Sequence, residues 1–162
     1  MREQPRFVTA TRYHDVSFGH RVTNHESKCR HLHGHNYRIH FEVRAELGCE
    51  ALDSLGRVMD FSVIKEKLCM WLEDNWDHKL LLWEKDPLLP YLGSLWIEGV
   101  GLDICTGSIV EVPFNPTAEN IAQYLVEVIG PQQLKGTCVE LIRCVVEETR
   151  KCSATYLKFL ED

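Results

Sequence analysis

The chain has 162 residues, 44% of them hydrophobic and 26% charged, with a formal net charge of −6. That length supports one domain with a real core, and the acidic balance argues against a nucleic-acid footprint, which needs a basic face. The start MREQPRF lacks the apolar stretch of a signal peptide, and no run reaches the roughly 18 apolar residues of a membrane helix. The seven scattered cysteines then read as free thiols or ligands in a reducing cytoplasm.

Phe7 to His20 reads as extended: Val8, Ala10, Val16, Phe18 and His20 share one parity, interrupted by Arg12 and His14. From His33 the odd positions run His33, His35, Tyr37, Ile39, Phe41, Val43 and Ala45, with Gly34, Asn36, Arg38, His40, Glu42 and Arg44 between them. That period-two alternation predicts a half-buried strand ending near Gly48. After a loop to Gly56, Met59-Asp60-Phe61-Ser62 opens a helix, capped by Asp60 or Ser62, with Ile64, Leu68, Trp71, Leu72 and Trp76 at helical spacing.

Between the helices, residues 83–114 carry turns at Asp86-Pro87 and Leu89-Pro90, and Leu95 to Glu98 can pair with Ser108 to Val112 as a small hairpin. Asn115-Pro116-Thr117 opens a second helix, capped by Asn115 or Thr117. Its stripe is Ile121, Ala122, Leu125, Val128 and Ile129, and Gly130-Pro131 stops it. Strands over Thr137 to Glu148 and Ser153 to Leu160 follow, joined by a turn at Arg150 and Lys151. The order β-β-α-α-β-β over residues 1–162 predicts a single α+β domain: an antiparallel four-stranded sheet with two helices on one face.

The stretch from Ser27 to Tyr37 concentrates Cys29, His31, His33 and His35. Two apart on a strand, His33 and His35 leave the same face, the one that turns apolar at Tyr37. Desolvation and mutual repulsion favour neutral imidazole, the form that zinc binds. A hairpin would set His20 beside them, with His31 and Cys29 as competing ligands. Three neutral histidines with an open position make a catalytic zinc site, whereas a closed set of four is structural. A zinc finger fits poorly, since no second Cys-x-x-Cys pair is present.

Cys29-Arg-His-Leu-His33-Gly-His35, the upstream His20, Val58-Met-Asp60-Phe61, Trp76-Asp77-His78, Pro116-Thr-Ala-Glu119-Asn120 and Glu148-Thr149 occur in that order. The ordered set resembles the 6-pyruvoyl-tetrahydropterin synthase / 6-carboxytetrahydropterin synthase family over residues 7–158. The three residues between Cys29 and His33 look like the bacterial 6-carboxytetrahydropterin synthases of queuosine biosynthesis; the eukaryotic pyruvoyl enzymes have a longer gap. Two features depart from the family: the first histidine follows Phe18-Gly19 rather than two small residues, and segment 83–114 is longer than a minimal member needs.

The resemblance implies a tunnelling fold (T-fold) whose subunits form trimers and stacked hexamers, with active sites between subunits. It implies Zn2+ on His20, His33 and His35, and a pterin triphosphate, 7,8-dihydroneopterin triphosphate, as substrate. Cys29 becomes a base whose thiol a nearby cation lowers from about 8.5. His78 becomes a general acid/base oriented by Asp77. Because adjacent side chains do not easily bond, the orienting Asp77 is expected from a neighbouring subunit. Glu148, rather than Glu147, receives the pterin N–H groups, and Glu119 is a further substrate contact or a helix-dipole residue. Arg12, Arg30, Arg38 and Lys79 are candidates for the triphosphate. The expected product is 6-carboxy-5,6,7,8-tetrahydropterin, with triphosphate and acetaldehyde released. A 6-pyruvoyl-tetrahydropterin synthase is the alternative enzyme, and a non-catalytic zinc-stabilised assembly or binding module the alternative of another class.

Overall fold

The computed structural model describes residues 8–92 and 107–158. Strands β1 (Ala10–His20) and β2 (His33–Ala45) pair antiparallel along their length, from Ala10 opposite Val43 to His20 opposite His33. β5 (Val139–Thr149) pairs antiparallel with β2, and β6 (Cys152–Leu157) with β5. These are the four strands expected from the sequence, and the fold class is α+β as predicted.

Two short strands, β3 (Leu80–Trp83) and β4 (Ile109–Val112), extend the sheet to the order β4-β3-β1-β2-β5-β6. β3 runs parallel to β1, and β4 parallel to β3. The sheet is therefore mixed and six-stranded rather than antiparallel and four-stranded. β3 is a four-residue apolar run without alternation, as buried parallel strands are, so periodicity does not reveal it. β4 thus finds a partner in β3; the expected hairpin partner Leu95 to Glu98 lies outside the described residues.

Both long helices cover the face formed by Val16, Phe18, Tyr37, Ile39, Phe41, Cys144 and Val146. The first runs through Phe61–Ile64, a π-helical Lys65–Cys69 and Met70–Asn75. Asp60 caps it, its carboxylate accepting from the Ser62 N–H and hydroxyl at 2.8 and 2.6 Å. Ile64, Leu68, Leu72 and Trp76 are buried at intervals of four, with Cys69 buried beside them, a spacing that the wider π turn accommodates. Arg12 and His14, which break the β1 pattern, reach this helix: Arg12 donates to the Phe61 carbonyl at 3.3 Å and His14 meets Glu73 at 2.8 Å.

The second helix begins at Ala118 and is capped by Thr117, whose hydroxyl accepts from the Asn120 N–H. A π-helical Leu125–Ile129 again widens it and brings Val126 into the core alongside Leu125 and Ile129. Gly130-Pro131 does not stop it; helix continues through Gly130–Gln133. Pro131 follows directly on the π segment, where the ladder is already interrupted. Gly130 serves close packing instead: a Cβ there would lie 2.8 Å from Leu141 Cβ on β5.

Candidate metal centre and active site

The β1–β2 register puts His20 opposite His33 and Phe18 opposite His35. All three rings leave the helix-covered face, and their ligand nitrogens lie within 4.8 Å of one another. Ring centroids are 4.5 Å apart for His20 and His33, 4.9 Å for His33 and His35, and 5.3 Å for His20 and His35. Gly19 and Gly34 face each other at this end of the ladder, and a Cβ on Gly34 would sit 3.1 Å from the Phe18 carbonyl oxygen.

Backbone carbonyls set two of the rings. His20 Nδ1 is 2.7 Å from the Pro116 carbonyl oxygen, and His33 Nδ1 is 2.7 Å from that of His31. A carbonyl only accepts, so each Nδ1 carries a proton, which in the neutral ring leaves the lone pair on Nε2. The Nε2 atoms of His20 and His35 are buried without a hydrogen-bond partner, which costs about 1–3 kcal/mol per group unless something fills the position. Burial holds His35 below the ordinary histidine range, His20 and His33 add to that, and the nearby Glu148 carboxylate opposes it. Three imidazoles with converging nitrogens, two of them orphaned, fit a divalent metal ion. The role of Pro116 was not legible beforehand; its motif suggested only a helix start.

Glu148 reaches the same place. Its Oε1 lies 3.2 Å from His20 Nε2 and 3.6 Å from His35 Nε2, without hydrogen-bond alignment. The adjacent His20 ring holds its carboxyl below the ordinary carboxylate range, against the opposing effect of burial. The fully buried Tyr37 donates its hydroxyl to Glu148 Oε1 at 3.4 Å, and burial, reinforced by that carboxylate, pushes the phenol up. Tyr37 is a site residue that sequence reasoning placed only in the core; a tyrosine buried next to His-x-His was the available signal. Neighbouring Glu147 faces the other way and meets His40 at 2.7 Å. The β5–β6 register slips between Glu147 and Thr149, leaving Glu148 at a bulge of the kind that re-aims side chains.

Cys29 sits in the short helical turn Lys28–Arg30, fixed by its carbonyl accepting from the Val22 N–H at 2.8 Å. Its sulfur is not among the grouped nitrogens. Cys29, Glu119 and Glu148 together line a cavity of about 190 Å³. His31 contributes its carbonyl to His33, and its ring is not in the group either.

Asp77 and His78 lie elsewhere. They line a cavity of about 670 Å³ with Asp15, Ser17, Asn36, Arg38 and Glu147, all of the parity opposite to the histidine triad. Asp77 accepts from the Ser17 N–H at 3.0 Å, and the His78 N–H donates to the Ser17 carbonyl at 2.7 Å. Contrary to expectation, the two side chains bond within one chain, His78 Nδ1 to Asp77 Oδ2 at 2.5 Å. The reason is the left-handed backbone of His78, φ 56°, which turns its ring back over the preceding carboxylate. Burial alone raises Asp77, but the Ser17 N–H and His78 outweigh it and leave the carboxyl below its ordinary range.

The four candidate cations are dispersed. Arg38 makes a two-pronged pair with Asp15 at 2.7 and 3.0 Å, Arg12 and Arg30 donate to the carbonyls of Phe61 and Glu26, and Lys79 donates to that of Asp74. Lys79 does share a 430 Å³ depression with His35 and His78.

The profile of the family described as 6-pyruvoyl tetrahydropterin synthase matches residues 9–158. The chain belongs to this family. The 6-carboxy-5,6,7,8-tetrahydropterin synthase of Rickettsia felis is 34% identical over 146 residues, 90% of this chain and 96% of that protein. The Rickettsia conorii protein of the same name is 36% identical with the same coverage. Among solved structures, an uncharacterized protein from Wolinella succinogenes superposes with a TM-score of 0.76 at 25% identity, covering 93% of this chain and 97% of that one. The 6-pyruvoyl tetrahydropterin synthase of Caenorhabditis elegans superposes at 0.61 with 22% identity, covering 94% and 96%, a likeness of fold. The α+β T-fold of this tetrahydropterin synthase family is therefore the fold of the chain. No helix of the described residues is long and apolar enough to cross a membrane.

Proposed function

We propose that the chain is a zinc-dependent lyase converting 7,8-dihydroneopterin triphosphate to 6-carboxy-5,6,7,8-tetrahydropterin, with triphosphate and acetaldehyde released, on the route to queuosine and related 7-deazapurines. The observation that carries this is the convergence of three histidine nitrogens, two of them buried and unpartnered, next to a cavity edged by Cys29 and Glu148. Relatives named for the carboxy product match nearly end to end, and the short Cys29-to-His33 spacing favours that product over the pyruvoyl one.

Zinc on His20, His33 and His35 supplies Lewis acidity toward the oxygens of the substrate side chain when bound. The rest falls to the chain. Cys29 Sγ takes the proton beside the pterin ring, a task suited to a thiol held near the metal without being bound by it. Glu148 accepts two N–H groups of the pterin, and Tyr37 fixes its carboxylate from below. Glu119 borders the same space.

His78, oriented by its own Asp77, returns the proton. Because that pair lines the larger cavity with strand residues of the opposite parity, and His78 shares with His35 only the depression over Gly19 and Gly34, we assign it to the site of an adjoining subunit, in a trimer or hexamer with sites between subunits. Arg38 and Lys79 are the candidate cations that line cavities with His78. The free thiols Cys29, Cys49, Cys69, Cys138, Cys144 and Cys152 fit the reducing cytoplasm.

The test is incubation with dihydroneopterin triphosphate, reading product mass and acetaldehyde together. Carboxytetrahydropterin with stoichiometric acetaldehyde supports the proposal. A pyruvoyl product without acetaldehyde reassigns the reaction, and no turnover by metal-replete protein favours a binding module.

A further inference from the structure

β2 carries a second group of metal-ligating side chains at its other end. Glu46 and Cys49 follow the strand, and Cys138 precedes β5 across the ladder; their ligand atoms all lie within 4.8 Å of one another. Backbone geometry holds them there. The Glu46 N–H donates to the Cys138 carbonyl at 2.9 Å, and the Cys49 N–H to the Glu46 carbonyl at 3.1 Å, closing a turn. Cys138 itself sits at φ 58°, a left-handed conformation uncommon outside glycine. The three residues are exposed or half-buried, none sealed in the core.

From these positions we propose that Glu46, Cys49 and Cys138 form a second metal site, taking a thiophilic divalent cation of the zinc type through two thiolates and one carboxylate, with water in the fourth position. Two sulfurs on one tetrahedral zinc lie about 3.8 Å apart, and a sulfur and an oxygen about 3.5 Å; the ligand atoms of the present group lie within 4.8 Å of one another. Such an ion would clip the loop after β2 to the start of β5.

A disulfide is the competing use of the pair, and Glu46 argues against it. A disulfide would leave without a role the Glu46 carboxylate, whose oxygen lies within 4.8 Å of both sulfurs. A cation uses the same carboxylate as a ligand and releases the thiol protons to solvent. This site is independent of the catalytic reading, since the triad contains no sulfur.

The experiment adds cobalt(II) to full-length protein kept reduced, and follows thiolate-to-metal charge-transfer absorption together with metal content per chain. It is run in wild type, in Cys29→Ala to remove the thiol near the triad, and in a Cys49→Ser/Cys138→Ser double variant. The expected result is two metal equivalents in wild type and one in the double variant. The charge-transfer band should persist in Cys29→Ala and vanish in the double variant, and Glu46→Gln should weaken cobalt uptake at the sulfur site alone. An unchanged metal content and no band dependent on Cys49 and Cys138 would overturn the proposal. So would protein two hydrogens lighter per chain through a Cys49–Cys138 bond, with no second metal, when isolated without reductant.

Discussion

The two ends of β2 gather ligands in opposite ways. At the His33 end the donors are nitrogens on facing strand positions, with His20 buried against the core and carbonyls of His31 and Pro116 fixing the ring protons. At the Glu46 end the donors are two thiols and a carboxylate on turns open to solvent. The first end is prearranged by strand register and by hydrogen bonds to the ligands; the second is arranged by backbone turns alone. Prearrangement of the first kind suits chemistry, because ligands locked by outer hydrogen bonds leave a position for substrate. The second kind suits a clip.

The sharpest way to break this contrast is His33→Ala. Removing one of three nitrogens should empty the triad and abolish turnover, while the sulfur end keeps its cation; metal analysis of the variant decides it. Full occupancy of the triad in His33→Ala would refute the ligand assignment. Cys29→Ala comes next: metal content and oligomer size should stay as in wild type while turnover falls by about 10²–10⁴-fold, the range for losing a general base. Metal lost along with activity would make Cys29 a ligand instead.

A smaller effect is expected at Glu148. Glu148→Gln keeps the shape but loses the charge-assisted half of two hydrogen bonds, about 1.5–3 kcal/mol, or roughly 10–100-fold in pterin affinity. Equilibrium binding of a dihydropterin, set beside metal content, separates the two roles open to this carboxylate. Pterin affinity should fall and zinc affinity hold. The reverse would mean that its closeness to His20 Nε2 reflects metal binding.

Much of the triad end was legible because strand alternation is a one-dimensional signal. The parity from His33 to Ala45 named the face, and the hairpin did the rest. What was not legible depends on contacts that sequence spacing does not encode. The separation of Asp77–His78 from the triad follows from one left-handed residue and from strand parity on β1. β3 hid in four apolar residues with no period. Gly130 read as a helix stop because glycine usually is one; here the missing Cβ makes room for Leu141. The meeting of Cys49 with Cys138 required the β2–β5 pairing to be known.

Gly130→Ala sharpens the contrast from the packing side. The new methyl meets Leu141 Cβ at 2.8 Å, an overpacking that costs about 1–3 kcal/mol, or roughly 2–12 °C of melting temperature at 2–4 °C per kcal/mol. Leu141 lies three residues beyond Cys138 on the same chain segment, so cobalt uptake at the sulfur end should weaken in parallel. The triad, at the far end of the ladder, should hold its metal unchanged.

The smallest effect is expected at Thr117, and it asks how the triad end is held. Thr117 caps the second helix directly after Pro116, whose carbonyl sets His20. Thr117→Ala should cost about 1 kcal/mol of stability, with Thr117→Ser restoring it. Asn115 supports the same segment independently, accepting from the Thr23 N–H at 2.8 Å and donating to the Thr23 carbonyl at 3.0 Å. If the cap positions Pro116, zinc affinity falls with stability in Thr117→Ala and returns in Thr117→Ser. If stability falls and zinc affinity does not, the Asn115–Thr23 amide pair is what orients His20, and the metal end of β2 is secured from the turn after β1 rather than from the helix.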